Sequence, residues 1–177
     1  MAEEYEEIKR RALVAAAKAA GTLIRKEELK RHALTADVNL PLAQGLLNEV
    51  NNLLNIVPDF EKEMKKTVEK ALKEGKPILD STINRAIELM LESLPLAFTD
   101  TLNRMVNATK DINSLIEVTN NIIRDLTKEG ISIPTLLPLE IRGNDLISIS
   151  SALKSARGKL VTIIEFLQEL KKYGVEK

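Results

Sequence analysis

His32 is the side chain with the widest chemical repertoire in this sequence, because it is the only histidine and no cysteine is present. Glu28 lies four residues earlier and can share its helix face, which makes half of a metal site. Di-iron bundles use a Glu-x-x-His motif twice, so the missing second histidine argues against a metal. A single histidine can also ligate a haem iron in a bundle cavity. We favour a plainer interpretation, an exposed or half-buried helical histidine paired with Glu28.

The sequence lacks the parts that nucleophilic catalysis requires. A serine hydrolase needs a nucleophile, a base and an orienting group, and His32 is the only imidazole base. No Gly-x-Ser-x-Gly elbow and no glycine-rich phosphate loop occurs. Most carboxylates lie near Lys or Arg on charged helix faces, so nothing marks an acid–base pair. We expect no enzymatic activity, no catalytic residue, no metal and no cofactor. His32 is the only cofactor-binding candidate, should a haem or metal be bound.

Charge and hydropathy disfavour nucleic-acid and membrane partners. The 26 Lys and Arg balance 26 Asp and Glu, so bulk electrostatics attracts neither DNA nor anionic lipid. Residues 21–54 have the rhythm of a helix-turn-helix, but its second helix, from residue 41, contains no Lys or Arg to read DNA. No uncharged apolar run approaches the roughly 18 residues of a membrane span, and no secretory signal is present. We expect a soluble, cytoplasmic protein.

Two polar surfaces are candidates for contact with a ligand or a partner. Small residues at helical spacing mark the start of the last helix: Ser148, Ser151, Ala152, Ser155, Ala156 and Gly158. They form either a serine-lined site or, as we favour, a close helix crossing, which would explain a glycine that costs about 1 kcal/mol in a helix interior. The other surface is an uncharged asparagine face: Asn48, Asn51, Asn52 and Asn55. It faces either a ligand or partner or, as we favour, solvent or a wet contact with another helix.

Residues 131–143 are the only sizeable stretch without a helical pattern. They contain two prolines and many Leu and Ile residues, which predicts an extended crossover that buries its side chains over the helices. Such an apolar crossover can also lid a cavity. Leu136 and Leu137 are the side chains that we expect to line that cavity.

Apolar residues at steps of three and four predict helices along nearly the whole chain. The last helix, residues 145–173, begins at an N-cap Asn144 or Asp145 and is about 43 Å long at 1.5 Å per residue. Prolines and glycines separate the other predicted helices: 2–20, 22–35, 41–57, 58–74, 78–93 and 111–129. Pro95 either kinks the chain or begins a further helix, 95–109. The predicted fold class is all-α, a single-domain bundle (residues 1–177) of about six or seven mostly antiparallel helices around the long C-terminal helix.

The first 21 residues, MAEEYEEIKRRALVAAAKAAG, lead from acidic residues through basic ones into an alanine-rich run. In style they resemble computationally designed helical proteins, and the absence of Cys and Trp and the balanced charge agree. This resemblance is clearest over residues 1–34 and 59–76. The asparagine-rich middle and the proline-rich crossover are less idealised, which leaves a natural or redesigned origin open. No motif identifies a natural family.

Two functions follow from these observations. The first is that of a designed or orphan all-α protein without catalytic activity, acting as a structural scaffold or an interaction module. The second is binding of a small apolar ligand in a cavity between helices, with residues 131–143 as its lid. Haem binding through His32 and helix-turn-helix DNA binding rank below both.

Overall fold

A computed structural model of the chain describes residues 2–73, 96–141 and 143–174. These residues are all-α, with four α-helices and no strand, so the predicted fold class is confirmed. The helices are α1 (Ala2–Leu23), α2 (Lys26–Lys73), α3 (Leu96–Lys128) and α4 (Ile149–Lys171). Short 3-10 helices, Gly143–Ser148 and Lys172–Gly174, flank α4. The predicted helix at residues 78–93 lies outside the described residues.

The described residues do not support the predicted count of six or seven helices. The single helix α2 covers three predicted helices, and α3 covers two. The predicted break at Pro41 is therefore wrong, and so is the turn of the helix-turn-helix at that position. Pro41 and Pro58 both lie on the exposed side of α2, where water can bond the carbonyl that each proline ring leaves without a donor.

A continuous apolar stripe holds α2 together across these two prolines. Residues on both sides of each proline are fully or almost fully buried: Ala36, Leu40, Ala43, Val57, Phe60 and Met64. Burial of each of the four larger side chains, Leu40, Val57, Phe60 and Met64, stabilises the fold by about 1.5–3 kcal/mol, and each proline costs about 3 kcal/mol in a helix interior. Packing along the whole stripe therefore outweighs the two local breaks.

Gly130 ends α3 as predicted, through a Schellman motif. The Ile131 N–H donates to the Leu126 carbonyl at 2.9 Å, and the Gly130 N–H donates to the Thr127 carbonyl at 3.1 Å. Gly130 has a φ of 97°, a left-handed conformation that a residue with a Cβ adopts only under strain. The chain then runs without helix from residue 131 to residue 141, as predicted for the crossover.

The predicted C-terminal helix is confirmed for most of its length. Its apolar stripe is buried as expected: Leu153, Ala156, Leu160, Ile163, Leu167 and Leu170. Its start differs from the prediction, because a 3-10 helix precedes the α-helix at Ile149. The Ser150 N–H donates to the Glu61 carboxylate at 3.0 Å. A carboxylate from α2 therefore satisfies the first turn, where negative charge suits the helix dipole.

The described residues group into two compact units. The first contains residues 2–48, 111–138 and 157–174; the second contains 49–73, 96–110, 139–141 and 143–156. In the second unit Arg104 pairs with Glu49, and the rings of Phe60 and Phe98 meet edge to face with centroids 5.7 Å apart. The single domain over residues 1–177 stays a prediction.

Candidate functional site

His32 is buried in the first unit, with only 3% of its surface exposed, so its predicted exposed or half-exposed position is wrong. It lies on the side of α2 that also buries Leu29, Ala33 and Ala36. The predicted pairing with Glu28 is not formed. Glu28 pairs instead with Arg31, at 3.6 Å between Oε1 and Nη2.

The buried imidazole lacks a hydrogen-bond partner at one nitrogen. His32 Nε2 has none among the described residues and lies 3.9 Å from Asp125 Oδ2 on α3, while Arg31 Nη2 lies 3.4 Å from the same carboxylate oxygen. Burial lowers the pKa of His32 below its ordinary value of 6.5, against the attraction of Asp125. The ring is therefore neutral at pH 7. In the part of the chain that the structure describes, no group of three or more acidic or histidine side chains is placed to hold a metal ion.

Within the described part of the chain, the small-residue face of the last helix does not form an enclosed site. Ser148, Ser151 and Ser155 are all exposed. A Cβ added at Gly158 would meet no atom of a described residue within 4 Å, so the described residues do not supply the close neighbour expected at this glycine. The asparagine face of α2 is also exposed, at Asn48, Asn51, Asn52 and Asn55.

A close contact occurs at Gly21 rather than at Gly158. We predicted that α1 ends at Gly21. The helix continues through Gly21 to Leu23, and a Cβ at Gly21 would lie 2.6 Å from the hydroxyl oxygen of Tyr173. That hydroxyl donates to the Lys18 carbonyl at 3.3 Å. Gly21 therefore provides room for the tyrosine that follows α4.

One buried asparagine on α3 forms hydrogen bonds with the backbone of the crossover. Asn120 on α3 is 7% exposed. Its Oδ1 accepts from the Leu136 N–H at 2.7 Å, and its Nδ2 donates to the Leu136 carbonyl at 2.9 Å. The side-chain amide thus pairs with both polar groups of one residue, as a neighbouring strand would. Leu136 is buried as predicted, whereas Leu137 is 69% exposed and does not line a cavity.

An apolar groove of about 460 Å³ lies between α2 and α3 in the first unit. Its apolar lining consists of Pro41, Leu42, Leu46, Leu115 and Val118. Gly45 also lines it, and a Cβ added there meets no atom of a described residue within 4 Å. Three polar residues complete the lining: Asn39, Asp111 and Ser114. A side chain at position 45 would therefore extend into free space in this groove.

Three large apolar side chains extend the groove along α2 towards its start. Leu34, Val38 and Leu42 are 65%, 68% and 60% exposed, and they follow one another at steps of four residues. Scattered exposed apolar residues are normal, whereas several of them beside an apolar groove are typical of surfaces that bind a partner. We name these three side chains and the groove together the α2–α3 surface. Its signal in the sequence is a second apolar stripe on α2, beside the buried stripe of Ala36, Leu40 and Ala43.

Charge is distributed unevenly along the α2–α3 surface. The helices run antiparallel here, since Asp125 lies beside Arg31 whereas Asp111 and Gly45 line the groove together. Asp111, at the groove end, is exposed and has no ion pair with a described residue. Arg31, near the other end, pairs with Glu28 and Asp125 at 3.6 and 3.4 Å. One end thus carries a carboxylate without an ion pair among the described residues, whereas the guanidinium near the other end is already paired with carboxylates.

A second cleft, of about 280 Å³, lies between α1 and α4 and carries Arg10, Arg11, Lys18 and Glu165. The Arg10 guanidinium bonds Glu7 and also Glu165, at 2.7 Å between Nη1 and Oε1. Its charge is therefore already neutralised by two carboxylates, and its role is to join α1 to α4. His32 lines neither this cleft nor the α2–α3 groove.

Comparison with known proteins gives no relative from which a function could be transferred. No protein-family model, no curated protein and no solved structure matches this chain. Of the helices described, none is long and apolar enough to cross a membrane. The chemistry of the described surfaces therefore carries the functional argument.

Proposed function

We propose that this chain is a non-catalytic interaction module and that the α2–α3 surface binds an amphipathic helix of a partner protein. The observation that carries this proposal is the exposed row of Leu34, Val38 and Leu42 beside an apolar groove. Leaving three such side chains in water forgoes burial worth about 1.5–3 kcal/mol each. A partner that covers them recovers this free energy.

The shape of the surface favours a helix as the partner. A row at steps of four residues is inclined by only about 26° to the axis of α2 and matches the apolar face of one added helix, which anchors through residues at similar spacing. Asp111 is the only charged residue of the groove lining. A Lys or Arg on the partner helix at this position would complement it.

Gly45 offers a direct test of this function. Binding of a labelled amphipathic Leu–Lys peptide, measured by fluorescence anisotropy, is expected to be lost in Gly45→Met, whose side chain fills the groove. Gly158→Met is the matched control, because Gly158 is also a helical glycine with open space around it but lies on α4. A peptide of the same composition with alternating Leu and Lys should bind neither variant. Equal binding to Gly45→Met and the control would refute the proposal.

A second candidate function is binding of a small apolar molecule in the same groove. Its volume, about 460 Å³, falls within the range of roughly 300–1,000 Å³ that is typical of ligand sites. Nile red, an uncharged apolar dye, tests this candidate in the same two variants. Stoichiometric binding that Gly45→Met abolishes, without any peptide binding, would favour the small ligand over the helix.

A further inference from the structure

We propose that Asp125 changes partners with pH and thereby forms a switch between α2 and α3. While the His32 ring is neutral, Asp125 pairs with Arg31; once the ring is protonated in acid, Asp125 accepts a hydrogen bond from His32 Nε2. This switch does not depend on what binds the α2–α3 surface, because neither Asp125 nor His32 lines the groove.

One carboxylate oxygen of α3 lies close to two neighbouring side chains of α2. Asp125 Oδ2 is 3.4 Å from Arg31 Nη2 and 3.9 Å from His32 Nε2. The first contact is a long hydrogen bond, and the second is too long for one. The oxygen therefore needs to move by only about 1 Å to make a charge-assisted N–H···O bond to the ring, whose length is about 2.7–2.9 Å.

Protonation of the ring is what creates a donor for this bond. A neutral imidazole carries hydrogen on one nitrogen only, whereas an imidazolium carries hydrogen on both. His32 is 3% exposed, and its Nε2 has no partner among the described residues. A buried cation without a partner is costly, and Asp125 Oδ2 is the charged acceptor that the structure places beside Nε2.

The charges around the ring are balanced only after protonation. Arg31 contacts two carboxylates, Glu28 at 3.6 Å and Asp125 at 3.4 Å. While the ring is neutral, these three side chains together carry one excess negative charge. When Asp125 turns to His32, Arg31 keeps Glu28, so each of the two cations has one carboxylate.

Opposing effects set the pH at which Asp125 changes partners. Burial has the largest effect and lowers the pKa of His32; of the charged groups, Asp125 raises it, Arg31 lowers it and Glu28 raises it. Because burial outweighs the attraction of the carboxylates, the exchange is expected below pH 6.5.

The turn that follows α4 also approaches α2 at this level. It meets the residue after His32 through Gly174. Its titratable group, the Tyr173 hydroxyl, donates to the Lys18 carbonyl at 3.3 Å, and Lys171 of α4 pairs with Asp37 at 3.2 Å. These groups are engaged with other partners, so α2 and α3 govern the titration of the ring.

Removing a charge on either side of the carboxylate tests the switch. The pKa of His32, measured from its Cε1–H resonance by NMR, should fall in Asp125→Asn, which removes the acceptor. It should rise in Arg31→Gln, which leaves Asp125 to the ring. Asp111→Asn is the matched control, because it removes an exposed carboxylate from the same helix about 21 Å away and should leave the pKa of His32 unchanged.

A crystal structure of the unaltered chain at a pH below the measured pKa completes the test and decides it even if a variant fails to fold. It should show Asp125 Oδ2 within about 3 Å of His32 Nε2, against 3.9 Å for the neutral ring. A carboxylate that stays with Arg31 in acid would overturn the switch, and so would pKa shifts that are absent or of the same sign in the two variants. A ring that titrates only as the chain unfolds would also overturn it, because the folded protein would then have no protonated state.

Discussion

Asn120→Ala is the substitution whose cost the structure defines most closely. The change removes the amide that pairs with both the N–H and the carbonyl of Leu136, at 2.7 and 2.9 Å. Each of these backbone groups is left without its partner, at a cost of about 1–3 kcal/mol apiece. Thr135 and Leu137 on either side are exposed, so water can reach part of the gap and reduce the penalty. We expect a loss of about 2–4 kcal/mol in the free energy of unfolding.

The neighbouring residue supplies a matched control. Asn121 has the same side chain on the same helix, but it is exposed and accepts only from Arg124. Asn121→Ala should therefore change the free energy of unfolding by no more than about 0.5 kcal/mol. Urea unfolding followed by circular dichroism measures both variants, and hydrogen exchange at the Leu136 amide reports the crossover itself. Equal losses in the two variants, or an unchanged exchange rate at Leu136, would refute the reasoning.

Three further predictions concern protonation, backbone conformation and the exposed row. Because burial holds the pKa of His32 below 6.5, the unfolded chain takes up the proton first. The stability that this residue contributes is therefore complete above pH 6.5 and is lost as the pH falls below that value, by at most about 1.4 kcal/mol per pH unit. Urea titrations at several pH values should show that His32→Leu lacks this pH-dependent part of the free energy of unfolding. Gly45→Ala and Gly158→Ala should each raise the free energy of unfolding by up to about 1 kcal/mol, because both lie in helices with open space around them. Gly130→Ala should lower it by about 1 kcal/mol, because φ is 97° there, and thermal melts that rank the three variants otherwise would contradict this. Val38→Lys should leave the melting temperature within a few degrees of the unaltered chain, since its side chain is 68% exposed, and a loss typical of a core residue would show that the row is structural.

The presence of helices could be predicted from the sequence because their apolar periodicity is strong. The residues at which the helices end could not be predicted with the same success. Gly130 was recognised as a helix end because only a residue tolerant of positive φ suits that position. The same argument failed at Gly21, where the glycine accommodates Tyr173 from a part of the chain more than 150 residues away. The prediction of a helix end at Pro41 failed because the free-energy cost of an exposed proline is smaller than the free energy gained by burying the apolar stripe of α2. That gain can be judged only when the residues that pack against the stripe are known.

The candidate surface could be predicted only in part. Leu34, Val38 and Leu42 are as apolar as the buried residues beside them, and the sequence does not say which of two adjacent stripes faces the core. The burial of His32 was missed for a related reason, since its neighbours on α3 are nearly a hundred residues away. Asn120 gave no signal, because an asparagine in an amphipathic helix is ordinarily solvated.

Methyl resonances provide the most direct measurement of the claim that the α2–α3 surface is the binding surface of this protein. Leu and Val methyl groups report on six of its positions: Leu34, Val38, Leu42, Leu46, Leu115 and Val118. When the amphipathic Leu–Lys peptide is added, shifts confined to these methyl groups are expected, and Gly158→Met should behave in the same way. Shifts centred on other Leu and Val residues, such as Leu23, Leu96 or Leu137, would contradict the assignment of the surface.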